Sequence, residues 1–271
     1  MDKQTTRTPG VSTKMPGLNR ANFALYRQNG IGAVEVSVAD VDYDAQDLCA
    51  IVSDARAEGI DPWSFHLRFW PFDGYTIQLF DRDARHRSVE YAAEWIRRAG
   101  NAGFRHAVIH PSGEPIEDTD RAEAMKNSKE SLAVLSEVAA KAGIILCVEN
   151  LPRTCLAKNS AELLELLAVD SRMRACFDTN HLLSEPTLDF MEALGEKIVT
   201  LHLSDYDFMN ERHWLPGDGL IDWRALMQKL DAIGYRGVMM YETAKTQKNG
   251  VERMLTPKDY AENASWLESL R

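Results

Sequence analysis

Cysteine is scarce in this chain: Cys49, Cys147, Cys155 and Cys176 are the only four, and no two stand in Cys-x-x-Cys spacing. That excludes a thiolate zinc knuckle or a redox dithiol, and two of the four lie in apolar runs where a thiol behaves as a small hydrophobe. A reduced, cytoplasmic protein is expected. Long hydrophobic runs are missing as well. Nothing approaches the roughly 20 apolar residues of a membrane span, and the amino-terminal MDKQTTRTPGVSTK has no apolar segment of signal-peptide length. Neither a membrane partner nor export is therefore expected. Basic charge is in deficit, with 31 Lys plus Arg against 41 Asp plus Glu and a net charge of −10. Such a balance repels polyanions and argues against a general grip on nucleic acid. A small substrate suits it better.

What is present is a repeated pattern. Short apolar runs end in a polar residue or turn, and each is followed by an amphipathic stretch. The runs are KMPGL, GAVEVSV, WSFHLRF, HAVIHP, IILCVEN, RACFDTNH, IVTLHLSD and GVMMYET. Helix punctuation lies between them. Ser88 precedes the stripe Val89, Ala92, Ala93, Ile96 and Gly100 closes it; Asn159 with Glu162 has capping-box spacing; Asp222 opens a stripe that ends at Gly234. Eight strands alternating with helices in about 250 residues have the size of a closed (β/α)₈ TIM barrel. An open doubly wound sheet would carry a Gly-rich phosphate turn after its first strand, and none is present. The expected organisation is a loose tail over residues 1–12 and a single-domain barrel over 13–271.

Catalytic groups in such a barrel come from the C-terminal ends of the strands. Those ends carry His66, His110, Glu149, Asp178 with His181, His202 with Asp205, and Glu242, and the loop NERHWLPGDG adds Glu211 and His213. Taken singly, each has a plain structural explanation: a histidine bonded in the rim, or a carboxylate capping the next helix. Asp205 in particular could simply accept loop amides. Glutamate is a poor N-cap, however, and Glu149, Asp178, His202 and Glu242 follow four successive runs that would converge at the barrel mouth. Three carboxylates gathered there repel one another unless a divalent cation compensates them. One imidazole among oxygens suits Mn²⁺ first, with Co²⁺, Mg²⁺ or Zn²⁺ compatible. Aromatics cluster around the third run (Trp63, Phe65, Phe69, Trp70, Phe72, Tyr75), and Trp214 follows His213. They would stack on a sugar ring or pack the loops. Arg68, Arg153 and Arg212 are candidates for a substrate phosphate or carboxylate, Arg153 foremost because it follows the Glu149 strand directly.

The segments IILCVEN, CFDTNH, TLHLSD, PGDG followed by IDW, and YET resemble the xylose isomerase-like TIM-barrel superfamily, which holds sugar and sugar-phosphate isomerases and epimerases together with metal-dependent apurinic-site endonucleases. The likeness to its ketose 3-epimerases implies a metal held by Glu149, Asp178, His202 and Glu242. It further implies that Glu149 and Glu242 double as the acid/base pair and that His181 binds substrate. Proton abstraction beside a carbonyl would then give an enediolate. Its reprotonation yields an epimer or an isomer, and loss of a β-hydroxyl yields dehydration, as in related inosose dehydratases, or a lyase outcome on a keto-sugar. The endonuclease branch resembles the chain at His66, His110, Glu149, Asp178, His181, His202, Glu211, His213 and Glu242, although Glu211 stands where that branch has an aspartate. Short, mixed-charge loops and the acidic balance count against abasic DNA as substrate. The additional histidines are then hydrogen-bond donors to sugar hydroxyls or a second metal position. A barrel without catalysis is a third alternative, disfavoured by the intact ligand set. Barrels of this superfamily often pair, so a homo-oligomer is also an expectation.

Overall fold

The computed structural model describes residues 6–13, 17–37, 43–247 and 251–271. Its elements alternate along the chain: β1 Pro9–Thr13, α1 Arg20–Gln28, β2 Ala33–Ser37, α2 Leu48–Ala57, β3 Asp61–His66, α3 Phe72–Tyr75, α4 Arg82–Ala102, β4 His106–Ile109 and α5 Arg121–Ala142. Then come β5 Ile145–Glu149, α6 Ser160–Leu167, β6 Arg174–Asp178, α7 Thr187–Leu194, β7 Ile198–His202, α8 Trp223–Ala232, β8 Met239–Tyr241, the short pair β9 Lys245–Thr246 and β10 Arg253–Met254, and α9 Pro257–Glu268. Strands β1 to β8 form one parallel sheet in the order β7-β6-β5-β4-β3-β2-β1-β8, so the expected (β/α)₈ barrel is the observed architecture. Both faces of such strands are covered, which is why they read as near-continuous apolar runs.

The sheet closes between β7 and β8 by a narrow seam. There a single bridge pairs Leu203 with Tyr241, just past the end of β7. Leu203 N–H donates to Met240 at 2.7 Å and Glu242 N–H donates to Leu203 at 3.1 Å.

Three sequence expectations need correction. The first strand is Pro9–Thr13 rather than KMPGL, whose residues 14–16 lie outside the described residues. The loose tail therefore does not reach residue 12. Arg7 is already buried, donating to the Tyr235 carbonyl and pairing with Asp231 and Glu268. A stretch as poor in apolar residues as PGVST becomes a strand because β2 and β8 pair with it on both sides. Gly10 belongs there because a Cβ would lie 2.6 Å from Val238 Cγ1. The helix expected over Ser88–Gly100 is longer: Asp81 caps it through the Ala84 amide at 2.7 Å, and Gly103, at φ 97°, ends it. Gly100 is interior, and its missing side chain lets α4 meet the end of α5, since a Cβ would stand 2.5 Å from the Ala142 carbonyl oxygen. The caps expected at Asn159 and Asp222 are present, each accepting an amide three residues on at 3.0 Å.

Candidate metal centre and substrate cavity

Four of the predicted residues meet at the C-terminal mouth. One ligand atom from each of Glu149, Asp178, His202 and Glu242 lies within 4.8 Å of the others. Register brings them together, because Asp178 pairs with His202 across β6 and β7, and Glu149 pairs with Cys176 across β5 and β6. Glu149, Asp178 and His202 are buried. His202 Nδ1 lies 3.0 Å from Glu149 Oε1, 3.3 Å from Glu242 Oε2 and 3.9 Å from Asp178 Oδ2.

The donor set fits a cation. Asp178 Oδ2 is buried with no hydrogen-bond partner, an arrangement that costs free energy unless something positive reaches it. The histidine tautomers point the same way. His66 Nδ1–H donates to the Leu67 carbonyl at 2.8 Å, His181 Nδ1–H to the Asn150 carbonyl at 2.8 Å, and His213 Nδ1–H to the Glu242 carbonyl at 3.1 Å. A carbonyl only accepts, so in the neutral ring each Nε2 is left bare. His66 Nε2 nevertheless lies 3.2 Å from Glu149 Oε2, as does His110 Nε2. Two acceptors at that distance require a proton or a cation between them.

The acid–base directions follow from this crowding. Burial acts to raise Glu149, but His202 and His110 overcome it and hold the carboxyl well below its usual range. Burial, then the Glu149 charge, pushes Asp178 up to about 6. Burial also raises Glu242, with Glu149 and Asp178 adding to the effect. Burial opposes charging His202, yet Cys176, Glu35, Glu242 and Glu149 together hold it well above the usual imidazole value. Burial lowers His110 and His181.

Beside the cluster lies a cavity of about 150 Å³, lined by Phe69, Phe72, His110, Arg153, His181, Glu211 and His213, among others. Of these four clustered residues, only Glu149 and Glu242 also line it. Phe69 stacks on His110 with ring centroids 4.0 Å apart. His181, Glu211 and His213 form a second group of convergent donors on the cavity wall. A larger groove of about 610 Å³, between Leu215–Asp218 and α9, carries none of the ligand set.

Other predicted residues are engaged elsewhere. Arg153 pairs with Glu114 and lies 2.9 Å from Glu211. Arg212 is held by Asp207 at 2.7 Å and does not line the cavity. Arg68 donates to the Trp70 carbonyl at 2.9 Å and its guanidinium sits over the Tyr75 ring. Asp205 organises its loop, accepting from the Tyr206, Gly217 and Ile221 amides and from Trp223 Nε1. Trp63 lies low in the barrel, donating to Thr200 Oγ1 at 3.0 Å, and Phe65 is core. One site residue was missed. Glu35, fully buried in β2, lies 3.0 Å from His202 Nε2. Its signal was available in GAVEVSV: a carboxylate inside a strand whose two faces are both covered.

Among the described residues no helix is long and apolar enough to cross a membrane. The protein family described as a xylose isomerase-like TIM barrel matches residues 23–270. An uncharacterized protein of Methanocaldococcus jannaschii is 27% identical over 201 residues, 71% of this chain and 68% of that one. Fructoselysine 3-epimerase of Escherichia coli O157:H7 is 28% identical over 141 residues, spanning 50% of this chain and 49% of the epimerase. Among solved structures, a D-tagatose 3-epimerase-like protein superposes with a TM-score of 0.78 at 20% identity, over 97% of this chain and 96% of that one.

Proposed function

Because this chain belongs to the xylose isomerase-like TIM-barrel family, we propose that it is a divalent-cation-dependent epimerase or isomerase of a small sugar. The observation that carries the reading is that Glu149 and Glu242, alone of the four clustered ligands, also line the cavity. They are the two able to touch both cation and substrate. Glu149, Asp178, His202 and Glu242 would hold the ion, with Mn²⁺ favoured by their oxygen-rich set. When bound, it would polarise the substrate carbonyl and make the neighbouring C–H acidic. Glu149 and Glu242 then take and return the proton on that carbon. Phe69 and Phe72 wall the cavity against water. With Nδ1–H committed to the Asn150 carbonyl and its charging opposed by burial, His181 meets a sugar hydroxyl as an acceptor rather than as a donor. Arg153 is already shared between Glu114 and Glu211, which favours an unphosphorylated sugar. The names of the fructoselysine 3-epimerase and the D-tagatose 3-epimerase-like protein favour epimerisation over dehydration.

The test is a screen of ketoses and keto-sugars with Mn²⁺-reconstituted protein in deuterated water. Deuterium entering one carbon beside the carbonyl is expected, and its loss in Glu149→Gln and in Glu242→Gln. Protein with bound metal that exchanges no proton on any of these sugars would overturn the proposal. The His181, Glu211 and His213 group supports a second reading, a multi-metal phosphodiesterase acting on abasic DNA. Three zinc ions per chain with cleavage of an abasic duplex would establish it, whereas one Mn²⁺ per chain and no cleavage would remove it.

A further inference from the structure

Strands β3 to β8 supply the ligand-type residues at the mouth, and β1 and β2 supply none of them, yet the interiors of β1, β2 and β3 converge on His202 from the opposite side of the barrel. Glu35 Oε1 accepts from Ser12 Oγ at 2.9 Å and Glu35 Oε2 from Ser64 Oγ at 2.7 Å. His202 Nε2 lies between the two oxygens, 3.0 Å from one and 3.1 Å from the other. An ionised carboxylate only accepts, so Nε2 carries a proton, and in the neutral, metal-ligating form of the ring Nδ1 is the nitrogen left to face Glu149 and Glu242. His202 differs here from the other site histidines. His66, His181 and His213 each orient their rings through Nδ1–H and a nearby backbone carbonyl, which in the neutral ring leaves Nε2 as the nitrogen without a proton. His202 uses the opposite nitrogen and a side chain 167 residues away.

We infer that Glu35 is a positioning residue for the metal centre: held by Ser12 and Ser64, it fixes the His202 ring and its tautomer so that Nδ1 is presented as a ligand. The inference rests on the metal-site reading above. A carboxylate behind a ligating imidazole sets the ring's orientation and raises its basicity, and losing such a partner costs about 10- to 100-fold in metal affinity. Glutamine at position 35 keeps one acceptor oxygen but loses the charge that raises the ring's basicity, and it places an amide N–H₂ where His202 Nε2–H and the serine hydroxyls donate. Leucine leaves the Nε2 proton unmatched in a dry interior. In either case the ring can exchange tautomers and present N–H to the cation.

Calorimetric titration of the metal-free chain with Mn²⁺ tests this. Glu35→Gln should bind roughly 10- to 100-fold more weakly than wild type, and Glu35→Leu at least as weakly. Ser64→Ala, which leaves Glu35 in place with one support fewer, should give a smaller loss in the same direction. Long-range ¹H–¹⁵N correlation of the Zn²⁺-loaded wild type reads the tautomer directly, and a proton on Nε2 with Nδ1 unprotonated is expected. Equal Mn²⁺ affinity in wild type and Glu35→Gln would overturn the inference while leaving the metal site intact, as would a His202 proton on Nδ1. A purely structural role would lower the thermal midpoint of the metal-free variants without changing affinity in the folded fraction. Wild type that takes up no divalent cation would overturn the proposed function and this inference together.

Discussion

Asp178 is buried beside Glu149 and Glu242, and its Oδ2 has no donor. The metal-free fold therefore bears like-charge crowding that an amide would relieve. Asp178→Asn should lose at least about 100-fold in Mn²⁺ affinity, while the metal-free variant keeps its stability or gains about 1 kcal/mol. Its Oδ1 can still accept from the Asn180 amide, as in wild type. Urea unfolding with a chelator present checks the second half, and a metal-free loss above about 2 kcal/mol would contradict it. At the opposite end of the barrel, burial pushes His106 down to about 4. Its Nδ1–H donates to the Trp63 carbonyl, and the charges around it are Arg105, Asp61 and Glu35. An unfolded histidine titrates near 6.5, so between these values the unfolded chain binds a proton that the fold refuses. Stability from this group is intact above pH 6.5 or so, falls as pH drops toward 4, and levels off below, a loss on the order of 3 kcal/mol. His106→Gln should remove that part of the slope, read as the difference between the two unfolding free energies across the window. The clustering of Glu149, Asp178, His202 and Glu242 was legible in the sequence because each stands at the end of an apolar run. The partners of Arg153 were not, because Glu114 and Glu211 are brought to it only by the fold.

The loop after β7 shows what one carboxylate does for a whole element. Asp205 accepts four donors, and Gly219 passes so close that a Cβ there would stand 2.4 Å from its Oδ1. Asp205→Ala would strand buried donors, each costing about 1–3 kcal/mol. We expect a total destabilisation of about 3–5 kcal/mol, visible as a lower urea midpoint with an unchanged m-value. A midpoint within error of wild type would show that the loop supports itself. His213 lies on this loop, so under the proposed function the variant should also bind sugar less well. The same scale explains where element boundaries escaped sequence reading. β1 owes its existence to pairing on two sides and not to its own composition. Gly100 looked like a stop signal but is a contact between α4 and α5, a distinction that depends on the neighbouring helix.

For the molecule as a whole, the cation should act as a ligand of the folded state alone. At 100 times its dissociation constant it adds about 2.7 kcal/mol, which for a chain of this size is roughly 5–10 °C in thermal midpoint. Scanning calorimetry with Mn²⁺ and then with a chelator reads the difference, and superimposable traces would count against a tightly held site. The barrel itself was legible because seven of the eight runs hold its strands, and alternation at that spacing leaves few other architectures. Its seam was not, since nothing in GVMMYET tells that β8 meets β7 through one bridge. That seam lies where His202 precedes Leu203 and Glu242 follows Tyr241. An ion gripped by both side chains is thus a clasp across the one place where the hoop of backbone is barely fastened. Amide exchange at Leu203 and Glu242 should slow when it is loaded, so the ion proposed to drive the chemistry would also set how readily the cylinder springs open.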